Sequence, residues 1–116
     1  AYIFDAASGS QLKKLLAADS GHYDYFGNSV SMSSDGTLVV VGAPSNSWSS
    51  RAHSGAAYIF DAASGSQWKK LVAADGAGEG QFGWSVSISS GGTHRVVVGA
   101  KHDNDAGSKS GSAYIF

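Results

Sequence analysis

The sequence predicts an all-β chain, and three observations carry that prediction. The residues AYIF occur at 1–4, 57–60 and 113–116, so one unit of 56 residues is present twice. Apolar residues alternate with polar ones or form short runs, and no stretch sustains a helical stripe. Sixteen glycines against one proline, together with many serines, favour short strands joined by tight turns.

The two copies stay in register through most of their length. Residues 1–19 match 57–75 except that Leu12 is replaced by Trp68 and Leu16 by Val72. The spacing is kept at 82–93, one extra residue enters at 94–100, and a shorter loop restores the spacing at 110–111. Compensating length changes of this kind indicate loops between fixed strands.

Each repeat contains four predicted strands, which we call A, B, C and D in chain order. Strand A begins with a Phe-Gly pair (FGxSVS) and includes 29–33, where we expect Val30 and Met32 to pack and the serines to face away. Strand B, at 38–43, is apolar on both faces and is predicted to be a buried central strand.

Strands C and D complete the unit. Strand C, at 57–60, places Tyr58 and Phe60 on one side, and both of its faces are expected to be covered. Strand D, at 67–75, carries two lysines and suits an outer edge. A helix at 10–19 stays open as the alternative, because Leu, Lys and Ala are good helix formers.

The links between these strands predict an antiparallel meander. SSDGT (33–37) and SSGGT (89–93) suit tight hairpins from A to B, and DAASGS (61–66) reverses the chain from C to D. A repeated four-stranded meander is typical of propeller blades. The chain is therefore predicted to hold about two blades of one propeller domain. They are divided into a partial blade of strands C and D (1–19), a complete blade (20–75) and a partial blade of strands A, B and C (76–116).

The quoted motifs resemble a known family. FGNSVSMSSDGTLVVVGAP with the later SGAAYIF, and FGWSVSISSGGTHRVVVGA with SGSAYIF, resemble FG-GAP repeats, the blades of integrin-α-like β-propellers. The resemblance implies a propeller, commonly of seven blades, often on extracellular or cell-surface proteins that bind partners. The calcium loop that integrin blades often carry between A and B is not expected here, because SSDGT and SSGGT supply too few oxygens.

Composition narrows the classes of partner. A net charge of −1 with 15% charged residues gives no electrostatic case for nucleic acid, and no apolar run approaches the ~18 residues needed for membrane insertion. An open blade edge predicts neighbouring blades. We expect them from a longer chain of which this is a window; the alternative is a homo-oligomeric ring of two-repeat chains.

The differences between the repeats cluster in two kinds of loop. The D-to-A links (20–25 and 76–81) and the B-to-C links (44–53 and 101–109) are unrelated between the copies and emerge on one face of a meander. Divergent loops on a rigid scaffold favour binding, although simple drift explains them equally well. The residues predicted to bind a protein or glycan partner are His22, Tyr23, Trp48, Arg51 and His102.

Clustered oxygens in the second B–C loop suggest a metal site. Asp103, Asn104 and Asp105 are candidate ligands for calcium, the only cofactor that the sequence suggests. An Asx-rich turn explains the same residues without metal.

Two tryptophans are predicted to have packing roles. Trp84, in phase with Val86 and Ile88, is expected in the core between blades, and Trp68 on the outer strand.

Catalysis is not expected. The histidines are dispersed, and neither a G-x-S-x-G elbow nor an H-E-x-x-H pair is present, although His22 and Asp24 lie close in sequence. The predicted function is that of a non-enzymatic extracellular or cell-surface adhesion and interaction scaffold. The alternative is a structural repeat protein that tiles a fibre, a surface coat or a multichain ring.

Overall fold

The computed structural model describes residues 1–48, 52–76 and 78–116. These residues contain nine β-strands and no helix, so none of them forms a helix able to cross a membrane. The strands are β1 (Tyr2–Phe4), β2 (Gln11–Lys14), β3 (Ser29–Met32), β4 (Leu38–Ala43), β5 (Ala56–Asp61), β6 (Gln67–Leu71), β7 (Phe82–Ile88), β8 (Val96–Ala100) and β9 (Ser112–Ile115).

The nine strands form three antiparallel sheets, which confirms the all-β prediction and excludes a helix at Gln11–Lys14. The first sheet pairs β1 with β2, the second has the order β3-β4-β5-β6, and the third has the order β7-β8-β9. In the letters of the repeat, these sheets contain strands C and D, strands A to D, and strands A to C. Each sheet has the meander order of a propeller blade.

Corresponding strands pair in the same register in different sheets. Strands C and D pair with one irregularity at the same step in the first and second sheets, because their sequences are nearly identical. The matched pairs are Tyr2↔Lys14 with Tyr58↔Lys70, Ile3↔Lys13 with Ile59↔Lys69, and Phe4↔Gln11 with Phe60↔Gln67.

The second sheet is packed on both faces, and β4 is buried at all six positions, as predicted. Its leading face, which turns toward the first sheet, includes Tyr58 and Phe60 and packs against Leu15. Its trailing face, which turns toward the third sheet, includes Val40 and packs against Val98. The expected covering of strand C on both faces is confirmed.

Contact between the second and third sheets depends on close backbone approach. Phe82 forms a parallel bridge with Gly55, and its N–H donates to the Ser54 carbonyl at 3.0 Å. A side chain at Gly83, whose φ is +92°, would overlap the Ala56 carbonyl oxygen, and one at Gly42 would overlap the Gly83 carbonyl oxygen. These glycines let the Phe-Gly backbone enter a groove that a Cβ would close.

The packing prediction for strand A is wrong at β3. Val30 is 58% exposed and Met32 is 46% exposed, because the first sheet has no A or B strand to cover them. The serine side of β3 makes the contact instead. Ser29 Oγ donates to the Gly83 carbonyl at 2.9 Å, and Ser31 Oγ accepts from the Ile88 N–H at 3.2 Å.

Trp84 does not lie in the core between the described sheets. The register of β7 against β8 shifts between Phe82 and Ser85, and Trp84 is left 41% exposed beside that bulge. The Lys101 ammonium lies 4.0 Å from the centroid of its indole ring. On the outer strand β6, Trp68 is 59% exposed.

Candidate functional site

The long loops and the short turns lie on opposite rims of the sheets. Along the loop rim, defined as the D–A and B–C loops, backbone hydrogen bonds join neighbouring loops: Ser45 N–H to Asp24 C=O at 3.3 Å, and Glu79 N–H to Ala52 C=O at 2.8 Å. On the other rim the Ala62 N–H donates to the Thr37 carbonyl at 2.9 Å, which joins a C–D turn to an A–B turn. The divergent residues therefore share one rim.

A buried carboxylate organises the loop rim of the second sheet. Asp24 is 8% exposed, and its Oδ2 accepts from the Gly21 N–H and from the Asn46 amide, each at 2.7 Å. Gly21 and Asp24 belong to the D–A loop, whereas Asn46 belongs to the B–C loop. One carboxylate oxygen thus holds both loops together.

A second carboxylate connects this rim to the strands. Asp19 accepts from the Tyr58 hydroxyl at 2.9 Å and from the Lys70 ammonium at 2.6 Å, and Lys70 also donates to Asn46 Oδ1 at 2.9 Å. Burial alone would raise the pKa of Asp19, but the hydrogen bonds from Lys70 and Tyr58 outweigh it and leave that pKa below its ordinary value. Burial, and then Asp19, raise the pKa of the Tyr58 hydroxyl.

The third sheet repeats this network with a different charge balance. Tyr114 is the counterpart of Tyr58, and its hydroxyl group lies between two carboxylates, 2.6 Å from Asp103 Oδ2 and 3.0 Å from Asp75 Oδ1. Because the described residues provide no fourth strand in this sheet, they provide no counterpart of Lys70. Hydrogen bonding from Tyr114, opposed by burial, holds the pKa of Asp103 below its ordinary range.

The predicted calcium ligands form an Asx-type turn. Asp103 Oδ1 accepts from the Asp105 N–H at 3.1 Å, and Asn104 Oδ1 accepts from the Lys109 N–H at 2.7 Å. The charge of Asp103, followed by burial and Asp75, raises the pKa of Asp105. Among the described residues, no group of three or more His, Asp or Glu side chains is placed to hold a metal ion. Calcium takes six to eight oxygens, and calcium binding at this loop stays a prediction.

The predicted partner-binding residues fall into two groups. In the first D–A loop, Tyr23 is 78% exposed, and its ring centroid lies 6.4 Å from that of His22. Trp48 is half-buried in the adjoining B–C loop. His102 belongs to the loop rim of the third sheet, where its backbone N–H donates to the Gly80 carbonyl at 3.1 Å. Arg51 lies outside the described residues.

Tyr25 also belongs to this surface, although it was not among the residues predicted to bind a partner. Tyr25 is 62% exposed and, like Tyr23, has a positive φ, 55° against 65°. A bulky side chain in this region of backbone space is strained and persists only where its surroundings hold it. The signal available in the sequence was a pair of tyrosines on either side of Asp24 in a loop that differs between the repeats.

Asp24, which lies close to His22 in sequence, has backbone and amide partners among the described residues. Asp24 is hydrogen-bonded to Gly21 and Asn46. Elsewhere, Asp35 contacts His94 at 3.0 Å and Ser33 Oγ at 2.6 Å. There the serine is bonded to the carboxylate, whereas a triad needs it bonded to the histidine.

Comparison with known proteins agrees with the repeat seen in the sequence. The family model described as FG-GAP repeat matches residues 10–60 and 66–116. Each match begins at strand D and ends with strand C of the following sheet. No curated protein matches the chain.

Proposed function

This chain belongs to the FG-GAP repeat family, whose members are generally non-enzymatic repeat scaffolds, and on that premise we propose that it is a non-enzymatic extracellular adhesion and interaction scaffold. Its ligand is a protein or a glycan, bound by the loop rim. The supporting observation is the contrast between shared sheets and unshared loops: the strands repeat in register, whereas the divergent loops are held together on one rim.

The aromatic side chains of the first D–A loop support a binding role for this rim. Tyr23 and Tyr25 expose most of their surface to solvent while Asp24, between them, is buried. Exposed tyrosines bury large apolar areas and donate a hydrogen bond when a partner covers them, and they are enriched at interfaces. The buried carboxylate fixes the loop, so little conformational entropy is lost on binding.

In this proposal, each candidate has a role set by its place. Tyr23 and His22 form the exposed centre of the surface, and Trp48 belongs to the B–C loop that Asn46 ties to Asp24. His102 extends the surface along the rim and supplies polar contacts. Arg51, which lies outside the described residues, stays a candidate from the sequence alone. The extracellular location rests on the resemblance to integrin-α-like propellers.

The test is binding of the immobilised chain to a glycan array and to a panel of purified extracellular-matrix proteins. A Tyr23→Ala/Trp48→Ala variant should lose at least tenfold in affinity for any ligand found. Trp68→Leu is the matched control, because the first repeat already carries Leu12 at that position. Equal binding by the double variant and the unaltered chain would contradict the loop rim as the binding surface.

A structural role is the second candidate, and the C–D turns favour it. Both turns are held by the same contacts, in which Ser8 and Ser64 donate backbone and hydroxyl hydrogens to Asp5 and Asp61 at 2.7 Å. Contacts between subunits of a fibre or coat would recur in every repeat, as these turns do. If Ser8→Ala/Ser64→Ala prevented assembly into a fibre or coat while the loop-rim variant did not, the structural function would be preferred.

A further inference from the structure

Two sheet faces at opposite ends of the chain are apolar and open. At the C-terminal end, Val97 and Ile115 on the trailing face of the third sheet are 41% and 74% exposed. On the leading side of the second sheet, Val30 is 58% exposed and lies beside Met32. Two of these open residues have buried counterparts in the other repeat: Val40, which matches Val97, is fully buried, and Ile88, which matches Met32, is 8% exposed.

The trailing face of the third sheet contains an empty copy of a groove that is filled in the second sheet. In the second sheet, a groove around Gly42 and Gly55 receives the backbone of Phe82 and Gly83. The corresponding groove in the third sheet has a volume of about 440 Å³. It is lined by Trp84, Ser85, Gly99, Ala100, Lys101, Gly111, Ser112 and Ala113.

The chain also carries one Phe-Gly pair that enters no groove. Gly27 has a φ of +100°, close to the +92° of Gly83, yet a Cβ at Gly27 would meet no atom within 4 Å. Phe26 packs on Tyr58 and Phe60, as Phe82 packs on Tyr114 and Phe116. The inserting pair and the receiving groove are therefore both present, at opposite ends of one chain.

The outer edge of β9 has no partner strand in the part of the chain that the structure describes. In the second sheet, strand C is followed by the lysine-bearing β6, whereas β9 pairs only with β8 among the described strands. The two family matches begin at strand D and do not include β1, which is a further copy of strand C.

The charges of the third sheet fit a strand D at the edge of β9. The ammonium group of Lys70, in strand D, pairs with the Asp19 carboxylate next to Tyr58. Next to Tyr114 there are two carboxylates, those of Asp75 and Asp103, and the described residues place no strand D lysine beside them. The residue of β2 that matches Lys70 is Lys14. The Lys14 ammonium lies 5.7 Å from the centroid of the Tyr2 ring, and the Lys70 ammonium lies 5.4 Å from the centroid of the Tyr58 ring.

We infer that the trailing face of the third sheet binds the leading face of a second copy of this chain, head to tail. Phe26 and Gly27 of the second copy enter the empty groove, and its β2 pairs with β9 as the fourth strand. In this arrangement Ile115 lies opposite Lys13, and Lys14 reaches Asp75 and Asp103. The contact is heterologous, so its repetition gives a closed ring or an open filament.

The second copy must release β1, since β9 takes its place. That exchange replaces one AYIF strand by another, so the backbone hydrogen bonds lost are made again. It also improves the aromatic packing. The β1 rings Tyr2 and Phe4 are 54% and 56% exposed. The β9 rings that replace them, Tyr114 and Phe116, already pack against Phe82, with ring centroids 5.3 Å and 5.8 Å apart.

The first test is the native mass of the 116-residue chain by light scattering after gel filtration. We expect a concentration-dependent mass of several times 11.8 kDa. Ala113→Glu on the trailing face and Val30→Glu on the leading face alter exposed positions, so each variant should fold and stay at 11.8 kDa. An equimolar mixture of the two should give a dimer and nothing larger, because it contains one working copy of each face.

Three results would overturn the inference: a monomeric unaltered chain at all concentrations, assembly that survives either charged variant, or no dimer in the mixture. Tyr23→Glu on the loop rim is the control and should assemble normally. Self-association does not depend on the proposed function, because ligand binding is lost on changing the loop rim and assembly is lost on changing the sheet faces.

The register of the contact is tested by a cross-link that needs neither charged variant. The chain has no cysteine, so Ile115→Cys and Lys13→Cys can be introduced without competing thiols. Under oxidation, a mixture of the two single variants should form a heterodimeric disulfide, because directly opposed strand residues lie within disulfide range. If Lys14→Cys cross-links to Ile115→Cys as efficiently as Lys13→Cys does, the register is wrong.

Discussion

Two interfaces between neighbouring sheets arise from one repeated sequence, but only one of them is closed. The closed interface joins the second and third sheets, and the open one lies between the first and second sheets. In the closed interface, strands A and B of the third sheet cover the trailing face of the second. In the open one, the first sheet offers only strands C and D, so Leu15 and Ile3 cover the outer part of the leading face. Val86 and Ile88 pack where Val30 and Met32 do not, which shows that burial here is decided by the neighbouring sheet.

The same comparison explains the serines of strand A. Ser29 and Ser31 face the following sheet and hydrogen-bond to the backbone of Gly83 and Ile88. Asn28 adds a hydrogen bond from its amide to the Trp84 carbonyl at 3.0 Å. A polar strand face thus makes specific contacts with the backbone of the next strand A. The alternation of Val and Ser marks two different interfaces, rather than a core and a solvent side.

The largest expected difference between the interfaces comes from their matched glycines. Gly83→Ala and Gly27→Ala both place a Cβ on backbone of nearly the same positive φ, which costs about 1–2 kcal/mol in either case. Only Gly83→Ala also forces a Cβ into the Ala56 carbonyl oxygen, so we expect it to lower the free energy of unfolding by more than ~3 kcal/mol. Urea denaturation of both variants measures the difference.

That comparison requires a monomeric background, because assembly would bury Gly27. Ala113→Glu supplies one, and there Gly27→Ala should show the cost of backbone strain alone. Equal losses for the two alanine variants would mean that the Phe-Gly insertion contributes nothing to the closed interface.

A smaller difference is expected from the apolar residues of strand A. In the same Ala113→Glu background, Ile88→Ala should lower the free energy of unfolding by about 2–4 kcal/mol, because Ile88 is 8% exposed in the closed interface. Met32→Ala, at a position 46% exposed, should cost less than ~1 kcal/mol. A cost for Met32→Ala as large as that for Ile88→Ala would show that the leading face is covered within one chain.

Most of the fold follows from local features of the sequence. The Asp-Gly and Gly-Gly turns and the runs VVVGA and AYIF are enough to place strands A to D and to order them in a meander. The faces of β5 were predictable because Tyr58 and Phe60 alternate with smaller residues. The exposure of Val30 was not predictable from its pattern, because it depends on which strands the preceding sheet contains. Trp84 was misplaced because a bulge changes the period of β7, and no local residue marks it.

Less of the candidate site was predictable. Comparison of the repeats identified the divergent loops, and their common rim follows from meander topology. The hydrogen bond between Asp103 and Tyr114 was not predictable, because these residues lie eleven positions apart, and the same sequence also suits a metal ligand, for which calcium binding stays a prediction. The hydrogen bond between Asn46 and Asp24 joins two loops across 22 positions of the sequence, so it could be identified only in the folded chain.

The two tyrosine networks differ in one cation, and the smallest predicted effect isolates it. Tyr58→Phe leaves Asp19 paired with Lys70, whereas Tyr114→Phe leaves Asp75 and Asp103 with no cation paired to them among the described residues. In the Ala113→Glu background we expect a loss of about 1 kcal/mol at pH 7 for Tyr114→Phe and about half of that for Tyr58→Phe. Adding Lys70→Met should raise the cost of Tyr58→Phe to that of Tyr114→Phe, and a double-mutant cycle measures this coupling.

The pH dependence of the Tyr114→Phe cost follows from the direction of the Asp103 pKa shift. The pKa of Asp103 is lower in the folded than in the unfolded state, so its contribution is fully present above the unfolded value, about 4. It is lost as the pH falls through the lower folded value. The difference in free energy of unfolding between the Ala113→Glu chain and its Tyr114→Phe variant should therefore be constant from pH 7 to about pH 5 and shrink below about pH 4. A difference that grew on acidification would show that Tyr114 stabilises the protonated carboxyl group, and the charge comparison between the two networks would then fail.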